Sequence, residues 1–183
     1  GEEHAVDSYV YWGGPDGVSP IRKTGLPTVG AKGVSAADLD GDGYVDLVFS
    51  NGFDGETHRI ESFVYWGTTG GFSVDDRTRL QTLGAAGNAV GDLDGDGYLD
   101  IVFANHHDDF TAAIDSTIYW GGEDGYSEAR TTGLPTSMAL GVSIADLDAD
   151  GHLDLVFSNN HDGESHQVES AVYWGGPEGF SID

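Results

Sequence analysis

A nine-residue segment with aspartate at positions 1, 3, 5 and 9 constrains this chain more than any other feature. It occurs three times with starts 54 residues apart, at Asp38–Asp46, Asp92–Asp100 and Asp146–Asp154. A Tyr-Trp-Gly marker keeps the same step, with its tryptophans at Trp12, Trp66, Trp120 and Trp174. Seven markers on one period indicate an internal repeat, which predicts stacked copies of one supersecondary unit.

Each period reads as four short strands, and no segment shows a helical period. The first strand ends in the marker and is rich in β-branched and aromatic residues. A weaker strand, whose proline suits an outer edge, is expected near 20–26, 74–80 and 128–134. The third strand has small residues and leads into the Asp loop. The fourth leaves the loop with a Leu-Val-Phe or Ile-Val-Phe core, which predicts burial on both faces.

Four antiparallel strands per unit, with small inner and polar outer strands, predict an all-β fold of β-propeller-type blades. The 183 residues hold about 3.4 repeats. We expect one repeat domain over 1–183, made of the outer half of a first blade, two full blades and an incomplete last blade. These units span 1–30, 31–84, 85–138 and 139–183, and the last has three strands over 141–175. An open superhelical array of stacked sheets is the alternative.

The composition narrows the function classes. The net charge is −25, from 32 acidic residues against 7 Lys and Arg, so we expect no nucleic-acid partner and no anionic membrane surface. The chain has no cysteine, and no apolar run is long enough to insert into a membrane. It begins at Gly1 rather than Met, so we expect a processed chain, a fragment or an expressed segment.

The Asp loops are candidate calcium sites, because Ca²⁺ prefers six to eight oxygen ligands at about 2.3–2.6 Å. Carboxylates at alternate positions of a tight loop can turn inward together, and a backbone carbonyl at position 7 adds another oxygen. Asp and Gly are also ordinary turn residues, but four carboxylates in nine residues repel one another without a cation. We therefore expect three Ca²⁺ sites. Their ligands are Asp38, Asp40, Asp42, Tyr44 and Asp46; Asp92, Asp94, Asp96, Tyr98 and Asp100; Asp146, Asp148, Asp150, His152 and Asp154.

Set between small-residue strands and Leu-Val-Phe strands, these loops resemble the FG-GAP (VCBS-type) repeats of integrin alpha subunits and many secreted bacterial proteins. The resemblance covers essentially the whole chain. It implies calcium bound in a β-hairpin through the side chains at positions 1, 3, 5 and 9 and the carbonyl at position 7. The third copy departs from the pattern with Ala149 for Gly and His152 for Tyr, and neither change removes a side-chain ligand.

The connection after the Leu-Val-Phe strand is expected on the face opposite the Asp loops. Its recurring polar residues are candidates for ligand binding: Asn51, Asp54, His58, Asn105, Asp108, Asn159, Asp162 and His166. Such side chains beside aromatic rings suit a sugar, whereas a solvated loop with Asn and Asp in turns is the alternative. The histidine spacing matches no usual zinc pattern. The Tyr-Trp pairs are expected to pack between blades.

These observations predict a non-catalytic, calcium-binding repeat module of an extracellular or cell-surface protein, which serves adhesion, recognition or assembly. No catalytic motif is recognisable, so we do not expect an enzyme. A carbohydrate-binding lectin is the first alternative. The second is a structural subunit whose unfinished blades leave open strand edges, through which another copy or the rest of a larger chain completes a ring or filament.

Overall fold

The computed structural model describes residues 5–182 and consists of β-strands joined by turns and loops, with no helix in that range. The described residues accordingly hold no helix that could cross a membrane. His4, which shares its repeat position with His58 and His166, lies outside the described residues. The strands are β1 Ala5–Tyr11, β2 Lys23–Val29, β3 Ala31–Ala37, β4 Asp46–Asn51, β5 Arg59–Tyr65, β6 Arg77–Leu83, β7 Ala85–Gly91, β8 Asp100–Asn105, β9 Ala113–Tyr119, β10 Thr131–Ser137, β11 Gly141–Ala145, β12 Asp154–Ser158, β13 Ala171–Trp174 and β14 Ser181–Ile182.

The strands form antiparallel sheets in chain order. A two-stranded sheet of β1 and β2 is followed by three four-stranded sheets, which are β3 to β6, β7 to β10 and β11 to β14. Each Asp loop is the hairpin between the first two strands of a four-stranded sheet, with Ala37 paired to Asp46 in the first. The predicted all-β fold of four-stranded antiparallel blades is confirmed, in an open arrangement.

Hydrophobic cores lie between neighbouring sheets. One contains Leu26, Phe49 and Tyr65, from the first two sheets. The next places Val48 and Val64 against Ile101, Phe103 and Tyr119, and the last places Val102 and Ile118 against Leu155, Phe157 and Tyr173. Alternate residues of one strand therefore serve different cores, since Ile101 and Phe103 face the preceding sheet and Val102 the following one. This explains the continuous apolar run in each fourth predicted strand.

In the three four-stranded sheets, the marker tyrosine ties each sheet to the one before it. Tyr65 is fully buried and donates its hydroxyl hydrogen to the Pro27 carbonyl at 2.5 Å. Tyr119 does the same to Gln81 at 2.8 Å. The marker tryptophan bonds within its own sheet and stacks on the next, as Trp66 does on Tyr126 with ring centroids 6.5 Å apart. The pairs at Tyr65 and Tyr119 therefore pack between blades, as predicted, whereas Tyr11 is 48% exposed.

The small-residue strands lie side by side. A Cβ atom added to Gly33 would lie 3.0 Å from the Gly87 Cα, and one added to Gly87 would lie 3.1 Å from the Gly141 Cα. Since these separations are shorter than nine in ten real Cβ contacts, a side chain at this position would force the inner strands apart by a few tenths of an ångström. Small inner strands are thus a packing requirement of the open array.

Two strand predictions were wrong in detail. The outer strands begin three residues later than expected, at Lys23, Arg77 and Thr131. The reason is their register, which carries pairing to Val29, Leu83 and Ser137, where each strand meets an asparagine of the next sheet. The last sheet also has four strands rather than three, because Ser181–Ile182 pairs with β13.

We expect Gly87→Ala to lower the free energy of unfolding by about 1–3 kcal/mol, because its methyl group would meet the backbone of the next inner strand. Gly141→Ala is the matched control, since its nearest neighbour is the Ser158 hydroxyl at 3.5 Å, an ordinary contact. Urea denaturation measures both. Equal destabilisation by the two variants would contradict the close approach of inner strands.

Candidate calcium loops

Each Asp loop is shaped by bonds from backbone N–H groups to its own carboxylates. In the first loop Gly43 donates to Asp38 Oδ2 at 2.9 Å and Tyr44 donates to Asp42 Oδ1 at 2.8 Å. The same pattern recurs from Gly97 and Tyr98 in the second loop. These bonds hold the loop in a turn and leave other carboxylate oxygens free to converge.

The carboxylates converge in all three loops. Oxygens of three aspartates lie within 4.8 Å of one another in each loop; the sets are Asp38, Asp40 and Asp42; Asp92, Asp94 and Asp96; and Asp146, Asp148 and Asp154. Asp38 Oδ1 is also buried and has no hydrogen-bond partner among residues 5–182. A buried anionic oxygen without a partner is costly, and a bound cation removes that cost. The donor set therefore fits Ca²⁺, which prefers carboxylate and carbonyl oxygens.

The aspartate at the ninth position has a further role. Asp46 is 1% exposed, and its carboxylate accepts bonds from Leu39 N at 2.8 Å and Gly67 N at 2.7 Å. Asp100 and Asp154 bond the equivalent amides. This carboxylate links the loop to the end of the third strand of the same sheet. In the first two loops it stands outside the converging set, whereas Asp154 belongs to that set in the third.

Burial and neighbouring carboxylates disfavour the ionised forms of Asp46 and Asp100. Burial raises the pKa of Asp100 to about 6, against the opposing bonds from Gly121 and Leu93, and the charges of Asp94 and Asp96 raise it further. Burial likewise raises the pKa of Asp46. A cation in the loop would lower both values by stabilising the ionised carboxylates.

The glycine of the Tyr-Trp-Gly marker is explained by the same junction. A Cβ on Gly67 would lie 2.2 Å from the carbonyl oxygen of Val45, and Gly121 and Gly175 meet Leu99 and Leu153 in the same way. The marker and the loop recur on one period because they contact each other. Sequence reasoning missed this contact, although the shared 54-residue step was its signal.

The third loop carries backbone strain. Ala149 has φ = 63°, whereas the equivalent positions are Gly41 and Gly95, both at φ = 75°. The left-handed region costs an L-residue about 1–2 kcal/mol. The departure noted in the sequence therefore keeps the positive φ at this position and lowers the stability of the loop.

The Asn and Asp candidates on the opposite face make hydrogen bonds to the backbone. Asn51 is buried; its Oδ1 accepts from Val29 N and its Nδ2 donates to the Glu61 carbonyl. Asn105 and Asn159 make the corresponding bonds, one to the preceding sheet and one within their own repeat. Asp54, Asp108 and Asp162 accept backbone N–H bonds in turns, which hold their pKa values below the ordinary range. A ligand-binding role for these positions, and for His58 and His166, stays a prediction.

The marker glycine gives a sharp test of the loop-to-strand contact. We expect Gly67→Ala to lower the free energy of unfolding by about 2–3 kcal/mol or more, because the methyl group collides with a backbone carbonyl. Gly13→Ala at the equivalent position has no atom within 4 Å and should stay within about 0.5 kcal/mol of the wild type. A loss of similar size in both variants, measured by urea denaturation, would rule the contact out as the cause.

Relief of strain in the third loop should be measurable too. We expect Ala149→Gly to raise the free energy of unfolding by up to about 1 kcal/mol, since glycine adopts the positive φ without strain and only part of that gain is lost to the unfolded chain. Gly41→Ala, with no atom near its added Cβ, should do the reverse. Chemical denaturation with calcium in excess measures both, and a destabilised Ala149→Gly would refute the assigned strain.

Comparison with family models matches residues 92–157 to the FG-GAP-like repeat. This match spans the second and third Asp loops together with the strands between them. A search of the curated proteins found no match. The predicted FG-GAP-type repeat is confirmed for this segment, and the chain carries an FG-GAP-type repeat in an all-β, blade-forming fold.

Proposed function

We propose that this chain is a calcium-stabilised, non-catalytic β-propeller-type repeat module of an extracellular or cell-surface protein, used for adhesion, recognition or assembly. The observation that carries the proposal is the convergence of three carboxylates in every Asp loop, with Asp38 Oδ1 buried and unpartnered among the described residues. FG-GAP repeats are generally non-catalytic and typical of extracellular or surface proteins, which supports the assignment of class and location.

The residues that would hold each ion are the four aspartates of the loop and the carbonyl at position 7. In the second loop these are Asp92, Asp94, Asp96 and Asp100 with the Tyr98 carbonyl. Calcium, when bound, supplies positive charge that offsets the repulsion between these carboxylates. Because Asp100 also holds the Leu93 and Gly121 amides, stabilising its ionised form stabilises the hairpin and the sheet together. The ions are thus proposed as part of the scaffold, at each loop of the repeat.

Removal of calcium is the direct test. A ligand that binds only the folded state at 100 times its Kd adds about 2.7 kcal/mol per site, and 1 kcal/mol shifts the Tm of a chain this size by about 2–4 °C. We expect a chelator to lower the Tm by more than about 10 °C. Calorimetric titration should find three Ca²⁺ per chain. A Tm indifferent to chelator and calcium would refute the proposal.

A charge-removing variant separates metal binding from loop shape. Asp94→Asn keeps the oxygen that accepts the Asp96 N–H bond at 3.1 Å and removes one negative charge. Without calcium we expect this variant to be at least as stable as the wild type, because repulsion falls. With calcium it should be less stable, because one site is weakened. Asp124→Asn, in an exposed turn outside the loops, is the control that should show neither change. If Asp94→Asn and the wild type rank in the same order of stability with and without calcium, that result would argue against a cation in the loop.

A separate observation supports assembly of this chain with a further sheet. Tyr11 is 48% exposed, whereas its repeat equivalents Tyr65, Tyr119 and Tyr173 are buried and bond a carbonyl of the preceding sheet. Tyr9 on the same face of β1 is 48% exposed as well. This face is shaped to receive a sheet, from another copy or from the rest of a larger chain. Light scattering of the calcium-loaded chain tests whether another copy supplies this sheet. If the wild type is a monomer and Tyr11→Ser does not change its mass, another copy is excluded.

A further inference from the structure

A second group of metal-ligating side chains lies on the face opposite the Asp loops, at the junction of the second and third sheets. His58 precedes β5, and His107 and Asp109 lie in the connection between β8 and β9. Their ligand atoms all lie within 4.8 Å of one another. His58 Nδ1 is 2.5 Å from Asp109 Oδ1, and His107 Nδ1 is 3.9 Å from the same oxygen. The side chains are 23%, 31% and 26% exposed, so an ion can reach them from solvent.

Asp109 is a departure from the repeat. The equivalent residues are Gly55 and Gly163, both at φ = 101°, and Asp109 keeps a positive φ of 76°. A non-glycine residue in this region carries a cost that persists only where its surroundings compensate for it. Here the carboxylate accepts bonds from the Thr57 hydroxyl and the His58 amide, in the neighbouring sheet's connection. Replacing glycine by a strained aspartate thus places a carboxylate beside two imidazoles.

The equivalent junction of the third and fourth sheets lacks the full set. There Ala112 and Gly163 stand at the positions of His58 and Asp109, and His161 keeps the position of His107. His161 lies against His166 of its own connection, with ring centroids 4.4 Å apart. In the first connection Phe53 occupies the position of His107, and its ring stacks on His58 with centroids 4.5 Å apart. Among residues 5–182, two imidazoles and a carboxylate converge at one junction. That junction draws on two sheets, so the set exists only in the folded chain.

We propose that His58, His107 and Asp109 bind one divalent transition-metal ion of the zinc type across the junction of the second and third sheets. Two imidazoles and one carboxylate suit such an ion, whereas the all-oxygen Asp loops suit calcium. A metal ion at His58 Nδ1 displaces the hydrogen that this atom shares with Asp109 Oδ1, and in a neutral imidazole that hydrogen moves to Nε2. Three protein ligands leave a coordination position for water or for an oxygen or nitrogen of an external ligand.

The test is titration of the calcium-saturated full chain with Zn²⁺, followed by calorimetry, and with Co²⁺, followed by visible absorption. Saturating Ca²⁺ occupies the Asp loops and keeps this readout separate from the proposed calcium function. We expect one Zn²⁺ per chain. The Co²⁺ spectrum should report nitrogen and oxygen ligands.

Matched variants locate the site. Asp109→Gly introduces the residue found at the two equivalent positions and should keep the fold, while Zn²⁺ affinity falls at least about tenfold. His58→Ala should show the same loss. His166→Ala, in the pair that lacks the carboxylate, should bind as the wild type does. The proposal is overturned if the wild type binds no Zn²⁺, if Asp109→Gly binds it unchanged, or if His166→Ala loses it.

Discussion

The buried carboxylate at the ninth loop position is the interaction on which the rest of each sheet depends. Asp46, Asp100 and Asp154 are 1% exposed, and each bonds one amide of the loop and one amide of the marker glycine. Burial of an ionised group without a counter-charge is expensive. The cost is met by these two bonds and, in the proposed calcium-loaded state, by the ion that the converging carboxylates attract. Loop, outgoing strand and third strand are thereby one unit.

The sheets are joined in turn by a small set of repeated contacts. A hydrophobic core fills each junction, the marker tyrosine bonds a carbonyl of the preceding sheet, and an asparagine bonds an amide there. Each contact recurs because the residues that make it recur on the 54-residue step. The stability of such an array is a sum of sheet and junction terms, and a change at one junction acts mainly there.

The loops at the two ends of the strands differ in how closely they repeat along this chain. The Asp-loop end repeats almost unchanged, and the departure at Ala149 keeps the same backbone conformation. The opposite end varies, with Phe53, His107 and His161 at one position and Gly55, Asp109 and Gly163 at another. A scaffold element must be the same in every copy, whereas a single site needs its residues only once. This variation favours the face opposite the Asp loops as the location of a specific binding site.

The all-β class, the period, the strand order within each sheet and the loops with converging carboxylates could all be predicted from the sequence. These features follow from local chemistry: alternation, turn residues and carboxylate spacing act within a few residues. Only the tertiary structure decided that Gly67 contacts Val45, that Asn51 is buried, and that His58 meets Asp109. Those pairings join residues about 10 to 50 positions apart, and they depend on sheet register and on how neighbouring sheets pack, which no local pattern encodes.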